Sequence, residues 1–190
     1  MDRRQRIANA GIALIARGGT HRLTHRAVDA EAGLPNGSTS YYARSRRDLI
    51  RLVMEQLSAE SQADLTDIEV PGKLTVRLAT DLVGRLAERL ILNGDAQAAR
   101  FALMFEVRDD DELRRELTVD APVRRSFDEK AVELLRALGV ADPEEKAPEF
   151  VALVDAVLMY RAVDAAPIDP AGVVETYLDG LVRRKPTAAL

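Results

Sequence analysis

Leucine recurs at every fourth position from Leu74 to Leu90, and this spacing constrains the fold more than any other feature of the chain. Side chains four residues apart lie on one face of an α-helix, whereas a half-buried strand needs apolar residues at alternate positions. The run therefore predicts one long buried helix over residues 74–92. Only 4% of the residues are aromatic and 47% are hydrophobic, a balance that suits amphipathic helices better than sheets. We expect an all-α fold.

Helical spacing and capping residues predict several elements before residue 60. They are a first helix that ends at Gly18-Gly19, a second helix over 25–32 capped by Thr24, a turn or helical first turn at Pro35-Asn36-Gly37 leading to a short third helix that ends near Tyr42, and a fourth helix that begins near Arg46 after the capping-box-like pair Ser45 and Asp48. The first three elements are short enough to form a small module in front of the longer helices.

Proline marks the starts of the last helices. Asp142-Pro143 and Asp169-Pro170 each place a capping acid before a proline at the first helical position, so helices begin near 143 and 170. The acidic run 109–112 either fills a helix junction or caps a short helix over 112–118. Two further helices are predicted, over 95–107 and from Pro122 to Gly139. The sequence predicts about nine helices in total.

Charge is divided unevenly along the chain. The net charge is −4, yet residues 1–57 carry ten Arg against five Asp and Glu, while residues 58–190 carry seventeen Lys and Arg against twenty-six Asp and Glu. A basic segment favours the approach of phosphates because condensed counterions are released, and an acidic body limits non-specific binding. Nucleic acid is therefore a candidate partner for the front of the chain.

The third helix has a composition that is unusual for a buried element. A turn at Gly33-Leu34-Pro35 is followed by residues that carry hydroxyl groups, namely Ser38, Thr39, Ser40, Tyr41 and Tyr42. Hydroxyl groups donate or accept hydrogen bonds at base edges and phosphates, and the small Gly37 permits a close approach to a major groove. The pattern predicts a recognition helix. A solvated connector between two helices is the alternative that the composition leaves open.

The stretches Thr24–Val28, Ala32–Tyr42 and Arg46–Leu49 resemble, in order and without gaps, the tetracycline-repressor (TetR) family. The resemblance covers about residues 4–55. It implies a three-helix helix-turn-helix DNA-binding domain over residues 1–45 and a larger helical ligand-binding and dimerisation domain over residues 46–190. By the same resemblance, the last two helices of each subunit form a four-helix contact in a homodimer.

The resemblance also implies a set of DNA-binding residues. At the start of the second helix, Thr24, His25 and Arg26 would meet backbone phosphates. In or beside the groove would lie Asn36, Ser38, Thr39, Ser40, Tyr41 and Tyr42. Arg46 stands where the family usually has a phosphate-contacting lysine. Two positions depart from the family pattern, because the usual tyrosine is Ser40 and the usual phenylalanine that packs the recognition helix is Ala43, which leaves the docking of that helix open.

A small-molecule effector is expected in the acidic body. The helix over 95–107 mixes apolar and charged side chains, a combination that suits a ligand pocket, although ordinary core packing with charged rims would look the same. The candidate ligand-binding residues are Phe101, Met104, Phe105, Arg108 and, near the end of a later helix, Tyr160.

Other function classes have little support in the sequence. Cysteine is absent, and the two histidines, His21 and His25, do not share a helical face or have a third ligand nearby, so we expect no metal, no cofactor and no enzyme activity. No signal-peptide core and no run of eighteen apolar residues occurs, so a cytoplasmic protein without membrane contacts is expected. We expect a homodimeric, sequence-specific repressor that binds a palindromic double-stranded DNA operator and is released from it by a small-molecule ligand. The alternative is a helical ligand-binding or protein-interaction module without specific DNA readout.

Overall fold

The computed structural model describes residues 1–183, which form ten α-helices, one 3₁₀ turn at Thr20–Arg22 and no strand. The helices are α1 (Arg3–Gly18), α2 (His25–Glu31), α3 (Ser38–Tyr42), α4 (Arg46–Thr66), α5 (Val76–Leu92), α6 (Gly94–Glu106), α7 (Asp111–Leu117), α8 (Pro122–Ala137), α9 (Pro143–Ala162) and α10 (Pro170–Arg183). The predicted all-α fold is confirmed. None of these helices combines the length and apolarity of a membrane span.

The helices belong to two compact units. Unit 1 comprises residues 1–62 and 93–123, and unit 2 comprises residues 63–92 and the chain from Arg124 onward. Unit 1 therefore contains α6 and α7 in addition to the predicted DNA-binding helices. The predicted functional division into residues 1–45 and 46–190 is not tested by this packing and stays a prediction.

The core of unit 1 forms around α1 and α4. Fully or almost fully buried side chains from five helices and their flanking residues make up this core: Ile7, Ile15, Leu23, Val28, Leu49, Val53, Leu103, Val107 and Leu113. Burial of such aliphatic side chains contributes about 1.5–3 kcal/mol each. This apolar packing fixes the short helices α2 and α3, which have too few residues to be stable alone.

Local capping explains where α2 and α4 begin. The Thr24 side chain accepts a hydrogen bond from the backbone N–H of Ala27 at 3.2 Å. At the next start, the Ser45 N–H donates to the Asp48 carboxylate at 3.0 Å, and the Asp48 N–H donates to the Ser45 hydroxyl at 3.1 Å. Each contact satisfies N–H groups that lack a partner within the helix. The predicted caps at Thr24 and Ser45 are confirmed.

The leucine run on α5 is only partly buried, which corrects the first expectation. Leu78 is 52% exposed, and Leu82 and Leu86 are half-buried. A spacing of four residues exceeds the helical repeat of 3.6, so a stripe of leucines at that spacing turns gradually around the helix. The buried face instead follows the true repeat and contains Ala79, Thr80, Val83, Ala87 and Leu90.

Unit 2 has its own core, to which α5, α8, α9 and α10 contribute. Its buried side chains include Val83 of α5, Leu135 of α8, Phe150 of α9 and Leu178 of α10. Phe150 also stacks on Tyr177, with ring centroids 5.8 Å apart. The last two helices are thus packed on one side, and the other side of each remains available to solvent.

The two Asp–Pro pairs begin helices, but only one acid is a cap. Asp169 accepts hydrogen bonds from the N–H groups of Ala171 and Gly172, both at 3.1 Å. Asp142 has a left-handed backbone (φ +53°) and its side chain accepts no capping hydrogen bond. The predicted capping role of Asp142 is therefore wrong, because a residue in that conformation does not direct its carboxylate at the first turn.

Replacing Asp169 with alanine is expected to lower the free energy of unfolding by about 1 kcal/mol, because two N–H groups of α10 lose their acceptor. Asp142→Asn is the control, because asparagine also tolerates the left-handed backbone at this position, and it should change stability by less than about 0.5 kcal/mol. Thermal unfolding of both variants, followed by circular dichroism, makes the comparison. Equal losses in the two variants would contradict the assignment of Asp169 as the cap.

Candidate nucleic-acid interface

A tight turn joins α2 to α3 within unit 1. Gly33 and Gly37 have positive φ values of 63° and 90°, a backbone region that residues with a Cβ atom rarely adopt. Pro35 and Asn36 lie between them in the turn, and α3 begins at Ser38 rather than at Pro35. The two glycines allow the chain to change direction sharply between α2 and α3, as a helix-turn-helix requires.

Asp29 of α2 is the buried residue that holds the start of α3. Its carboxylate accepts hydrogen bonds from the Gly37 N–H at 2.7 Å, the Thr39 N–H at 2.7 Å and the Thr39 hydroxyl at 2.6 Å. Burial by itself raises the pKa of Asp29, but the hydrogen bonds from Thr39 and Gly37 together outweigh it and leave that pKa below its ordinary value. Asp29 is therefore ionised at neutral pH.

This arrangement corrects the prediction for Thr39. Thr39 is fully buried and its hydroxyl is bound to Asp29, so its side chain is not at the surface where a groove could meet it. Sequence reasoning missed Asp29 altogether. The only available signal was an acidic residue inside a short helix, eight residues before the turn glycine Gly37. Acidic residues in such positions more often face solvent.

The remaining candidates on α3 divide by exposure. Asn36, Ser40 and Tyr41 are exposed, and Tyr41 presents 83% of its surface. Ser38 is half-buried and donates its hydroxyl to the Pro35 carbonyl at 2.6 Å. Tyr42 is half-buried against the core of unit 1 and meets the Tyr41 ring edge-on, with centroids 5.2 Å apart. Asn36, Ser40 and Tyr41 therefore form the outward face.

The three candidate residues at the start of α2 differ in exposure. Thr24 and Arg26 are exposed, while His25 is half-buried, with its Nε2 atom 2.8 Å from the Ala43 carbonyl oxygen. The carbonyl can only accept, so Nε2 must carry the hydrogen. This contact, together with the burial of Ala43, ties the end of α3 to the start of α2. The helix is thus docked without the aromatic residue that the family usually has at position 43.

Arg46 has three partners inside unit 1. Its guanidinium donates to the carbonyl oxygens of Leu23 at 2.7 Å and Thr20 at 3.0 Å, and to the Glu106 carboxylate at 2.8 Å. The Thr20 hydroxyl donates to the other Glu106 oxygen at 2.8 Å. The hydrogen bond from Arg46, followed by that from Thr20, lowers the pKa of Glu106. These bonds use three of the five N–H groups of Arg46, and its side chain is 43% exposed, so the predicted phosphate contact stays a prediction.

A second group of ion pairs follows along α4. Arg47 binds Asp110 at 2.8 Å and Glu112 at 2.7 Å, and Arg51 binds Glu116 at 2.8 Å and Glu112 at 3.0 Å. The hydrogen bond from Arg47, supported by the Leu113 N–H, lowers the pKa of Asp110 to about 2. These pairs are solvent-accessible, so each is individually weak. Together they connect the start of α4 to α7.

Asp110 has a further role that settles an open alternative. Its side chain accepts from the Leu113 N–H at 3.1 Å and caps α7. The acidic run 109–112 is therefore a helix cap rather than a simple junction.

Comparison with known proteins identifies the family. A family model of the tetracyclin repressor-like C-terminal domain matches residues 73–184, which is more than half of the chain. The chain belongs to the TetR family. The sequence resemblance on which the family was expected lies in residues 4–55, so the match comes from a different part of the molecule and supports it independently.

Solved structures of other proteins have the same fold. A transcriptional regulator from Rhodococcus sp. Rha1 superposes with a TM-score of 0.79 at 14% identity, covering 96% of this chain and 97% of that one. A TetR-family member from Streptomyces coelicolor A3 has a TM-score of 0.66 at 26% identity, covering 95% and 98%. The multidrug binding protein EbrR, complexed with imidazole, has a TM-score of 0.61 at 26% identity, covering 100% and 99%. Comparison with curated proteins gives no match.

The TetR-family ligand candidates lie in both units. In unit 1, Phe101 is buried beneath the Arg100 guanidinium, 4.3 Å from its ring centroid, and Met104 is half-buried. Phe105 is 70% exposed, and Arg108 is exposed and pairs with Asp109 at 3.3 Å. Tyr160 belongs to α9 in unit 2 and is 45% exposed.

None of these candidate residues lines the cleft that the structure shows in unit 1. That cleft has a volume of about 190 Å³. Its lining residues are Arg4, Gln5, Ala8, Leu52, Glu55 and Gln56. None of them was predicted from the sequence, and the ligand-binding assignments remain predictions.

Proposed function

We propose that this TetR-family chain is a homodimeric, sequence-specific DNA-binding repressor that a small-molecule ligand releases from a palindromic operator. The observation that carries the proposal is the outward face of α3. Asn36, Ser40 and Tyr41 are exposed there, although the helix itself is firmly docked through Thr39 and Ala43. Polar side chains on a rigid, exposed short helix are suited to hydrogen bonding with base edges in a major groove.

Exposed cations support the same surface. Arg22 precedes α2, Arg26 lies in its first turn and Arg44 follows α3, and all three are exposed. Guanidinium groups at these positions would neutralise phosphates on either side of a groove and fix the register of α3. Arg46 uses three of its five N–H groups within unit 1, which leaves fewer donors for a phosphate than the three exposed arginines offer.

A dimer is supported by the solvent-facing sides of the last two helices. Ala152, Ala156 and Tyr160 are exposed at four-residue spacing on α9, and we call this row the α9 stripe. Gly180 and Val182 are exposed on α10. Small and apolar side chains allow helices of two copies to approach closely and bury their surface. Two copies would present two α3 helices to successive major grooves, about 34–36 Å apart.

Ligand control is proposed from the relatives. EbrR is described in complexes with imidazole, proflavin and ethidium. A ligand that binds better to a form in which the two α3 helices are not at the separation that fits the operator must weaken DNA binding, and DNA must weaken ligand binding by the same factor. Proflavin and ethidium are suitable first probes, with Phe101, Met104 and Phe105 as the side chains to substitute.

Tyr41→Ala is expected to weaken binding to the DNA upstream of the protein's own gene by about tenfold or more, because a base-edge or phosphate contact is lost. Arg26→Ala should reduce affinity on all sequences and reduce the slope of log affinity against log salt by about 1. Fluorescence anisotropy over a salt series measures both effects.

Arg85→Ala, which removes an exposed cation from α5 in unit 2, is the matched control and should leave binding unchanged. Unchanged binding in both Tyr41→Ala and Arg26→Ala, with the dimer retained, would contradict the proposed interface. Weak binding by the wild type that ignores sequence and disappears with salt would instead favour a helical ligand-binding module without DNA readout.

A further inference from the structure

A single buried carboxylate organises the whole turn between α2 and α3. Asp29 is 1% exposed, and its two side-chain oxygens accept from Gly37 and from both the N–H and the hydroxyl of Thr39. The backbone oxygen of Asp29 also accepts from the Leu34 N–H at 2.8 Å. Asp29 thus binds Leu34 near the start of the turn, Gly37 at its end and Thr39 in the helix that follows.

The charge of Asp29 makes this contact sensitive to chemical change. A buried carboxylate is costly unless hydrogen bonds compensate it, and here three short bonds do so. Both donors of Thr39 bind the same oxygen, Oδ1, so loss of the hydroxyl would leave this buried, charged oxygen with one hydrogen bond fewer and with no water to replace it. The arrangement therefore favours one orientation of Thr39 over its alternatives.

The orientation of Thr39 determines which way the rest of α3 faces. Successive residues of a helix are separated by about 100°, so Tyr41 lies about 200° around the axis from Thr39. A Thr39 side chain held inward by Asp29 accordingly holds Tyr41 outward, as its 83% exposure shows. With only five residues, α3 has little internal stability to maintain this direction by itself.

We propose that Asp29 is a positioning residue for sequence-specific DNA recognition, acting through Thr39 and Gly37 on the direction of α3. The inference rests on the proposed function. Asp29 itself would not touch DNA. A small rotation of α3 would move Ser40 and Tyr41 away from base edges while Arg26, on α2, kept its place near the backbone. Specific affinity should therefore depend on Asp29, and non-specific affinity should not.

The test compares Asp29→Asn and Thr39→Val with wild type on two duplexes. One spans the DNA upstream of the protein's own gene, and the other is a scrambled duplex of the same composition. Asparagine keeps the shape of Asp29 but directs an N–H₂ donor at the Gly37 N–H or at Thr39, and valine removes the Thr39 hydroxyl. Each variant should lose about tenfold or more in specific affinity and stay within about twofold on the scrambled duplex.

Two controls separate positioning from general stability. Thr39→Ser keeps the hydroxyl donor and should retain most of the specific affinity. Thr80→Val removes the other buried threonine hydroxyl, which lies on α5 in unit 2 and has no partner among the described residues, and should leave DNA binding unchanged. Circular dichroism and the dimer mass are measured for every variant.

The outcomes distinguish this inference from the proposed function. If Asp29→Asn and Thr39→Val both prefer the upstream duplex over the scrambled duplex as strongly as the wild type does, the positioning role is overturned and the proposed function is unaffected. Equal loss on both duplexes by folded variants also overturns it, because the effect is then not on orientation. If the wild type binds the upstream and scrambled duplexes equally well, the proposed function is overturned, and the role of Asp29 is overturned with it.

Discussion

Replacing Gly11 with alanine is expected to lower the free energy of unfolding by about 1–3 kcal/mol, the usual cost of overpacking a core. A Cβ atom at this position would lie 2.6 Å from Cγ2 of Val53 and 3.1 Å from Cδ1 of Leu23. Val53 is fully buried on α4, and a β-branched side chain in a helix has essentially one rotamer, so it cannot move aside. The helices α1 and α4 would have to separate.

Gly84 provides the matched control because it also lies inside a helix. A Cβ atom there meets nothing within 4 Å, so Gly84→Ala should raise the free energy of unfolding by about 0.5–1 kcal/mol through the lower conformational entropy of the unfolded chain. If α1 and α4 are in close contact, urea unfolding should show a lower free energy of unfolding for Gly11→Ala and a higher one for Gly84→Ala than for the wild type. A Gly11→Ala variant as stable as Gly84→Ala would refute that packing.

The sequence predicted those parts of the fold that depend on neighbouring residues. The starts of α2 and α4 follow from the caps at Thr24 and Ser45, which act within three residues. The end of α1 follows from Gly19, whose φ of 78° stops the helix. Such signals are local, so they can be recognised without knowledge of which helices pack together.

Contacts between residues distant in sequence were not predictable in the same way. Arg46 and Glu106 are 60 positions apart, and Arg51 and Glu116 are 65 apart, so their pairing depends on how α4, α6 and α7 pack in unit 1. Read locally, Arg46 resembles a free phosphate ligand. The structure adds that three of its N–H groups bind Glu106 and two carbonyl groups.

The helix α3 was predictable in part only. Its composition correctly indicated an exposed polar face, since Asn36, Ser40 and Tyr41 are accessible. Five hydroxyl-bearing residues in a row cannot all face outward from a helix, however, and the sequence did not reveal which of them turn inward. Among the five, Thr39 is the residue whose hydroxyl binds the buried carboxylate of Asp29, a contact that only the packing of α2 against α3 reveals.

Replacing Ala156 with arginine is expected to dissociate the proposed dimer and to lower operator affinity by about 100-fold or more. The α9 stripe is exposed in the single chain, so a longer side chain there has room and should not reduce the stability of unit 2. In the dimer, the guanidinium of each copy would be buried against that of the other without a counter-charge, which is strongly unfavourable. Each half-site would then be bound by an isolated subunit, and linkage between two binding events typically supplies a factor of about 10²–10⁴ in affinity.

Ala141→Arg adds the same charge at an exposed alanine in the loop before α9 and serves as the matched control, with dimer mass and DNA affinity unchanged. Analytical ultracentrifugation at micromolar concentration, combined with anisotropy on the upstream duplex, distinguishes the two variants. The argument requires both effects to occur together in Ala156→Arg. A monomeric variant that still binds with full affinity would show that one α3 helix is sufficient, and a variant that remains dimeric would place the subunit contact away from the α9 stripe.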